Sequence, residues 1–123
     1  MIIREKVDIA SQYTYVNISK MFDFRSAIVP TMLLSLKASG NMGASWEFSH
    51  SNRLAFFKNI GIDTKQVRAL KQVHSQDVVF APQLSHGQIV EGDGLYTDDR
   101  QYILTVTVAD CLPIFLYHVF GEG

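Results

Sequence analysis

Two side chains that bind metals or take part in covalent catalysis lie at the ends of apolar runs. His74 stands in the segment Lys-Gln-Val-His-Ser at 71–75, and Cys111 stands in Val-Ala-Asp-Cys-Leu-Pro at 108–113. Imidazole and thiolate are preferred zinc ligands, and they also form a common pair of general base and nucleophile. We therefore predict that His74 and Cys111 are the catalytic residues and that both are metal ligands.

A structural interpretation competes with this chemical one. A lone cysteine commonly packs as a small apolar side chain, and a lone histidine near a strand end is commonly a hydrogen-bonded polar group. The separation of the two residues matches no short metal-binding or catalytic motif. The remaining histidines are interpreted as structural or surface residues, at a helix start, in a polar loop and on the last predicted strand: His50, His86 and His118.

The composition indicates one globular domain, residues 1–123, without a strongly charged partner. Hydrophobic residues make up 47% and charged residues 19%, and the formal net charge is −1. This balance gives no electrostatic reason to bind nucleic acid or an anionic membrane. There is no signal-peptide pattern and no apolar run near the roughly 20 residues of a membrane span. We therefore expect a cytoplasmic protein, and its one cysteine excludes an intramolecular disulfide.

Short strands and one clear helix are predicted to position the two residues. Residues 49–60 favour a helix, because Leu54, Phe57 and Ile60 recur at three-residue spacing and Gly61 follows where a left-handed cap is needed. Alternating or β-branched runs predict strands at 13–18, 32–37, 67–73, 77–81, 95–96, 102–108 and 114–117. The fold class is therefore α+β, with a mixed or antiparallel sheet.

Turn-forming residues predict how these strands connect. Residues 39–43, 82–88 and 92–94 read as loops or turns, and residues 98–100 predict a hairpin between the two strands that flank them. The last predicted strand runs into a turn and has no second arm, so its edge is open. We expect a further segment or another chain to complete the sheet there.

Five short segments resemble the signature segments of a known family. They are 41–43 (Asn-Met-Gly), 52–53 (Asn-Arg), 72–74 (Gln-Val-His), 93–97 (Asp-Gly-Leu-Tyr-Thr) and 108–113 (Val-Ala-Asp-Cys-Leu-Pro). Their order and spacing are similar to those of multicopper polyphenol oxidoreductases, or laccase-like proteins. That family is better described as zinc-dependent purine nucleoside phosphorylases with adenosine deaminase activity. The resemblance implies that this chain is the N-terminal half of a larger α/β sandwich-like catalytic domain.

The resemblance also implies a zinc site and a nucleoside site. Zinc would be held by His74, Cys111 and a third histidine, which in the family lies in a His-Ala-Gly-Trp-Arg-Gly segment that this sequence does not contain. Lys37, which stands in place of an arginine, and Asn41 would bind the purine nucleoside and phosphate. Lysine keeps the charge but loses the bidentate geometry of arginine. With two of three ligands, the chain is expected to bind zinc weakly and to be an inactive or incomplete portion of the enzyme.

Two other functions stay open. The family's fold resembles that of certain toxin deamidases, so Cys111 could be the nucleophile and His74 the base of a cysteine hydrolase. Alternatively, the chain is a binding module without catalytic activity. Two measurements separate the enzyme hypotheses: bound zinc indicates the metal enzyme, and rapid alkylation of the thiol indicates the cysteine hydrolase.

Overall fold

The computed structural model describes residues 15–20, 30–43, 49–109 and 111–118. Within these ranges the chain forms one α-helix, six strands of two or three residues and four short 3-10 turns. The helix is α1 (Ser49–Asn59), and the strands are β1 (Tyr15–Asn17), β2 (Leu33–Ser35), β3 (Val67–Arg68), β4 (Val78–Phe80), β5 (Gly94–Tyr96) and β6 (Ile103–Leu104). One strand pair is antiparallel and two are parallel, and each pair forms its own two-stranded sheet. The predicted α+β class is therefore confirmed.

The helix ends where the sequence predicts. Gly61 has a φ of +78°, and its N–H donates to the carbonyl of Lys58 while the N–H of Ile62 donates to that of Phe57. These two bonds form a Schellman motif, which satisfies carbonyls that the helix end leaves without an intrahelical partner. A Cβ on Gly61 would contact nothing within 4 Å, so glycine is favoured there by its backbone angle alone.

The described residues before Arg53, together with residues 114–118, form one compact unit. In this unit β1 pairs antiparallel with β2, and Val16 lies opposite Leu34. The N–H of Ile18 extends the pairing by donating to the carbonyl of Met32 at 2.8 Å. Val16 and Met32 are buried, so the predicted strands 13–18 and 32–37 are confirmed at their centres. Residues 13 and 14 lie outside the described part.

The second compact unit, Arg53–Pro113, contains the parallel pairs. β3 pairs with β6, and β4 pairs with β5. An isolated parallel bridge between Lys71 and Glu91 lies between these ladders along the chain. Ala81, Leu84, Arg68 and Gly92 are buried in this unit. No helix in the described part of the chain is long and apolar enough to cross a membrane.

Two predicted elements are wrong. The segments around 98–100 do not form a hairpin, because β5 and β6 each pair in parallel with an earlier strand. Apolar alternation reveals which residues share a face, but it does not distinguish parallel from antiparallel pairing. Residues 114–117 form no strand; Ile114 and Leu116 are 75% and 91% exposed. An apolar run becomes a strand only when it forms a ladder with another strand, and no ladder among the described residues includes these positions.

Candidate functional site

His74 lies on a loop between two parallel pairings. Lys71 pairs with Glu91, 20 positions later, whereas Val78 pairs with Gly94, 16 positions later. The earlier segment therefore carries four more residues between the two pairings than the later segment does. Since paired strands advance by the same distance per residue, those extra residues must leave the ladder. The loop that contains His74 is the result.

The carboxylate of Asp93 closes this loop. Its Oδ1 accepts hydrogen bonds from the N–H groups of Val73 at 3.1 Å and Ser75 at 2.8 Å, and its Oδ2 accepts from the N–H of His74 at 3.0 Å. The Ser75 hydroxyl also donates to Oδ1, at 2.7 Å. Successive N–H groups that converge on one anion form a nest. We call these four residues, Val73, His74, Ser75 and Asp93, the Asp93 clamp.

Hydrogen bonds also hold the backbone of Asp93 in place. Its N–H and that of Gly94 both donate to the carbonyl of Asp77, at 3.0 and 3.2 Å. On the other side, a Cβ at Gly92 would lie only 3.0 Å from Cγ2 of Val79. Glycine at that position therefore permits a close approach of the two segments. The carboxylate therefore reaches the loop from a backbone segment that is itself held by hydrogen bonds and close packing.

The clamp makes Asp93 a stronger acid. The N–H and hydroxyl of Ser75, followed by the N–H groups of Val73 and His74, lower the pKa of Asp93 from 3.8 to about 2. Each of these donors stabilises the charged form of the carboxyl. Asp93 is therefore ionised throughout the physiological pH range and accepts all four hydrogen bonds there.

His74 has an unusual backbone conformation. Its φ is +61°, and among the described residues it is the one non-glycine residue with a positive φ. Residues in this region persist when the surrounding structure holds them there, and they cluster at functional sites. The His74 side chain is exposed, so its imidazole is accessible to a ligand.

Gln72 ties this loop to the segment that leads to Cys111. Its Nε2 donates to the carbonyl of Thr107 at 2.8 Å, and its Oε1 accepts from the Thr107 N–H at 2.7 Å. The Thr107 hydroxyl donates to the same oxygen at 3.0 Å. Gln72 precedes His74 by two residues, and Thr107 precedes Cys111 by four. His74 and Cys111 therefore lie two and four residues beyond a pair of positions that hydrogen bonds hold together.

Cys111 is a free, exposed thiol. It follows β6, whose parallel pairing with β3 joins Val67 to Ile103 and Arg68 to Leu104, a constant offset of 36 positions. Its neighbour Asp110 lies outside the described residues. In the part of the chain that is described, no three His, Cys, Asp or Glu side chains lie close enough together to hold a metal ion.

The predicted substrate-binding residues belong to the other compact unit. Lys37 begins the 3-10 turn Lys37–Ser39. Asn41 is exposed, and its Oδ1 accepts from the N–H of Gly43 at 2.8 Å. Its carbonyl accepts from Nδ2 of Asn52, on α1, at 2.7 Å.

Sequence reasoning missed Asp93 and Gln72 as determinants of this site. The sequence predicts a turn at Asp93 and a strand at Gln72, and both residues belong to segments that carry the family resemblance. Asp93 stands between two glycines, which is the arrangement expected where backbones approach closely and a side chain reaches back to the main chain. That signal was present in the sequence, but its partner segment could not be inferred from it.

Comparison with known proteins gives one family and two partial relatives. A purine nucleoside phosphorylase of Corynebacterium glutamicum is 40% identical over 70 residues, which are 55% of this chain and 28% of that protein. A purine nucleoside phosphorylase of Borreliella burgdorferi is 35% identical over 54 residues, which are 44% of this chain and 23% of that protein.

The matched segments thus span about a quarter of the length of these curated relatives. No solved structure matches the chain. The family described as multi-copper polyphenol oxidoreductase laccase matches residues 14–122, nearly the whole sequence. By the extent of that match, the chain belongs to the multi-copper polyphenol oxidoreductase laccase family.

Proposed function

We propose that this chain carries part of the active site of a purine nucleoside phosphorylase, with zinc bound by His74 and Cys111. The observation that carries the proposal is the double hydrogen bond between Gln72 and Thr107, which links the segments of both residues. Both partial relatives bear the name purine nucleoside phosphorylase, which supplies the substrate class.

The strand register supports a shared site for the two ligands. β3 and β6 pair at an offset of 36 positions, and Gln72 bonds to Thr107 at an offset of 35. The two segments therefore run side by side as far as positions that precede His74 by two residues and Cys111 by four. Zinc bonds are roughly 2.0–2.1 Å long to nitrogen and 2.3 Å to sulfur, so the donor atoms would lie about 3–4.5 Å apart. An accessible imidazole and an exposed thiol fit two positions of such a site.

The family resemblance implies one more histidine ligand, which this sequence does not contain. We therefore expect residues 1–123 alone to bind zinc weakly, since catalytic zinc normally has three protein ligands. When bound, zinc acts as a Lewis acid that polarises an oxygen of the substrate or activates a water.

The residues of the chain supply orientation and binding. The Asp93 clamp fixes the backbone of His74, and Gln72 fixes the segment before Cys111. Asn41 offers its Nδ2 to an oxygen of the nucleoside or of phosphate, and Lys37 adds a positive charge for phosphate. In phosphorolysis a phosphate oxygen bonds to C1′ of the ribose and the bond from C1′ to the purine nitrogen breaks, which gives the free base and ribose 1-phosphate.

The test is to incubate the polypeptide expressed from its gene with adenosine or inosine, phosphate and zinc, and to separate the products by chromatography. We expect free base that requires phosphate, and inosine from adenosine if deamination also occurs. Cys111→Ala should abolish both zinc binding and turnover, because it removes a ligand. Lys37→Ala should mainly raise KM for phosphate, since it removes a binding charge.

Absence of adenine, hypoxanthine and inosine in a preparation that contains stoichiometric zinc would refute the nucleoside proposal. Where the gene encodes further residues, residues 1–123 are also measured alone, and we expect little turnover from them. Tight stoichiometric zinc in that chain, with no ligand from another chain, would refute the expected ligand set.

A further inference from the structure

We propose that Asp93 is a positioning residue for the metal ligand His74: its carboxylate holds the backbone of 73–75 in the one conformation that presents the imidazole to the metal. Asp93 does this through the main chain and is not itself a ligand. The inference rests on the proposed zinc site and deepens it.

The first argument is the distribution of hydrogen bonds over the two carboxylate oxygens. Oδ2 receives the N–H of His74, and Oδ1 receives the N–H groups on either side of it, from Val73 and Ser75. The loop backbone at His74 is thus bound by one anion at three successive positions. Outer partners that orient a metal ligand are typically worth about 10–100-fold in metal affinity.

The second argument is the backbone strain at His74. A φ of +61° directs the side chain differently from an extended or helical backbone, and most residues avoid it. Released from its three N–H bonds, the loop would populate other backbone conformations, and each would move the imidazole. The clamp therefore selects the direction of the ring as well as the path of the chain.

The third argument is that the carboxylate is already occupied. Four donors share its two oxygens, all between 2.7 and 3.1 Å. Coordination of a metal through Oδ1, which receives three of the four donors, would require Asp93 to give up some of these bonds and release the loop. The geometry therefore favours a role that is exerted through His74.

The variant Asp93→Asn tests this closely. It keeps the size and shape of the side chain but replaces one acceptor oxygen by an NH2 donor. Placed at Oδ2, that group faces the N–H of His74; placed at Oδ1, it faces the donors of Val73 and Ser75. Either orientation sets donor against donor. Asp98→Asn is the matched control, because Asp98 is exposed and its change removes the same charge.

The experiment is a double-mutant cycle on zinc affinity in the polypeptide expressed from its gene. The affinity is measured by competition with a chromophoric chelator. The four proteins are wild type, Asp93→Asn, His74→Ala and the double variant. We expect Asp93→Asn to raise Kd for zinc by about 10–100-fold and to leave unchanged whatever residual zinc affinity the His74→Ala background retains. Asp98→Asn should leave Kd within about twofold of wild type.

Amide hydrogen exchange supplies a readout that needs no metal. In Asp93→Asn the amides of residues 73–75 should exchange at least about tenfold faster than in wild type. The amide of Lys71 donates to the carbonyl of Val90 and should keep its wild-type rate. If Asp93→Asn fails to fold, Ser75→Ala replaces it, because that change removes one of the four bonds and leaves the carboxylate in place; a smaller rise in Kd is then expected.

Three results overturn the inference. Unchanged exchange at 73–75 shows that the clamp does not hold the loop. Unchanged zinc affinity in Asp93→Asn shows that the clamp does not serve the metal. An equal loss of affinity in the His74→Ala background shows that Asp93 acts on the metal by another route. Wild-type zinc affinity that does not depend on His74 is a separate result: it refutes the proposed zinc site itself, and with it the positioning role.

Discussion

The carboxamide of Gln72 and the backbone of Thr107 exchange two hydrogen bonds, as two residues paired in a strand ladder would. The side chain of Gln72 thus takes the place of a main-chain rung beyond the end of the β3–β6 pairing. A side-chain amide can do this because it carries a donor and an acceptor in the same relative geometry as a peptide group. The loop of His74 and the approach to Cys111 are joined at this point.

Gln72→Ala removes these two bonds and the one from the Thr107 hydroxyl. It should destabilise the chain by about 1–3 kcal/mol, because each bond contributes roughly 0.5–1.5 kcal/mol net. Urea unfolding measures this change as a shift of the transition midpoint, with the dependence of the unfolding free energy on urea concentration unchanged. Gln76→Ala, at an exposed position in the same loop, should stay within about 0.5 kcal/mol of wild type. Equal effects of the two substitutions would show that the Gln72–Thr107 link contributes nothing to stability.

The sequence predicts an element well when the residues that determine it are close together along the chain, and poorly when they are far apart. The helix α1 and its cap at Gly61 were predicted to within a residue, because helix periodicity and capping are local. The parallel pairing of β3 with β6 was not predicted. It joins positions 36 residues apart, and apolar alternation is the same for either strand direction.

The candidate site shows the same division. His74 and Cys111 were chosen for side-chain chemistry, which the sequence states directly. The Asp93 clamp was not foreseen, because its acceptor follows the loop by about 18 residues and the loop arises from a change of register between two pairings. Whether His74 and Cys111 share one metal stays a prediction.

The acidity of Asp93 predicts a stability difference that depends on pH. Its pKa is about 2 in the folded chain against 3.8 ordinarily, so the folded state favours the charged form. The resulting stabilisation is fully present above about pH 5 and is lost progressively as the pH falls through 3.8 and then through about 2. The difference in urea midpoint between metal-free wild type and Asp93→Asn should therefore be constant from pH 7 to 5 and shrink between pH 4 and 2. A difference that is the same at every pH would contradict the lowered pKa.

Arg68 is predicted to stabilise the second unit through its fixed fork of donors. It is buried; its Nε donates to the carbonyl of Leu84 at 3.0 Å and its Nη1 to that of Lys65 at 2.8 Å. Its guanidinium carbon also lies 4.9 Å from the centre of the Tyr102 ring. A single ammonium cannot reproduce this planar arrangement.

Arg68→Lys should therefore lower the free energy of unfolding by about 1–3 kcal/mol, because the carbonyls of Leu84 and Lys65 lose their guanidinium donors. Thermal or urea unfolding measures the loss. The matched control is Arg100→Lys at an exposed position, which should change stability by less than about 0.5 kcal/mol. If lysine is tolerated equally at both positions, the fork geometry of Arg68 is not what stabilises this unit.

The positive φ of His74 predicts an inverted preference between glycine and alanine. At +61° a side chain costs roughly 1–2 kcal/mol relative to the right-handed conformation, and glycine avoids that cost. His74→Gly should thus be more stable than His74→Ala by about 1 kcal/mol. At Val73, whose φ is not positive, glycine should instead be less stable than alanine by about 0.5–1 kcal/mol. Alanine as the more stable residue at both positions would argue against the left-handed backbone of His74.

The exposed thiol of Cys111 offers a direct choice between a zinc site and a cysteine hydrolase. A metal-bound thiolate is shielded from alkylating agents, whereas a thiolate activated by a neighbouring base is alkylated faster. We expect zinc to slow the reaction of wild type with iodoacetamide at pH 7, and His74→Ala to abolish that protection. Without zinc, His74→Ala should leave the alkylation rate within about twofold of wild type.

His86→Ala is the control for this last prediction, because His86 is also exposed and lies in a different loop; zinc should still protect Cys111 in that variant. The opposite pattern identifies the hydrolase. There, zinc would give no protection, and His74→Ala would slow alkylation in the absence of metal, because the imidazole would then be the base that activates the thiol. Mass spectrometry of the alkylated chain, timed over the reaction, distinguishes the two patterns through a single modified residue.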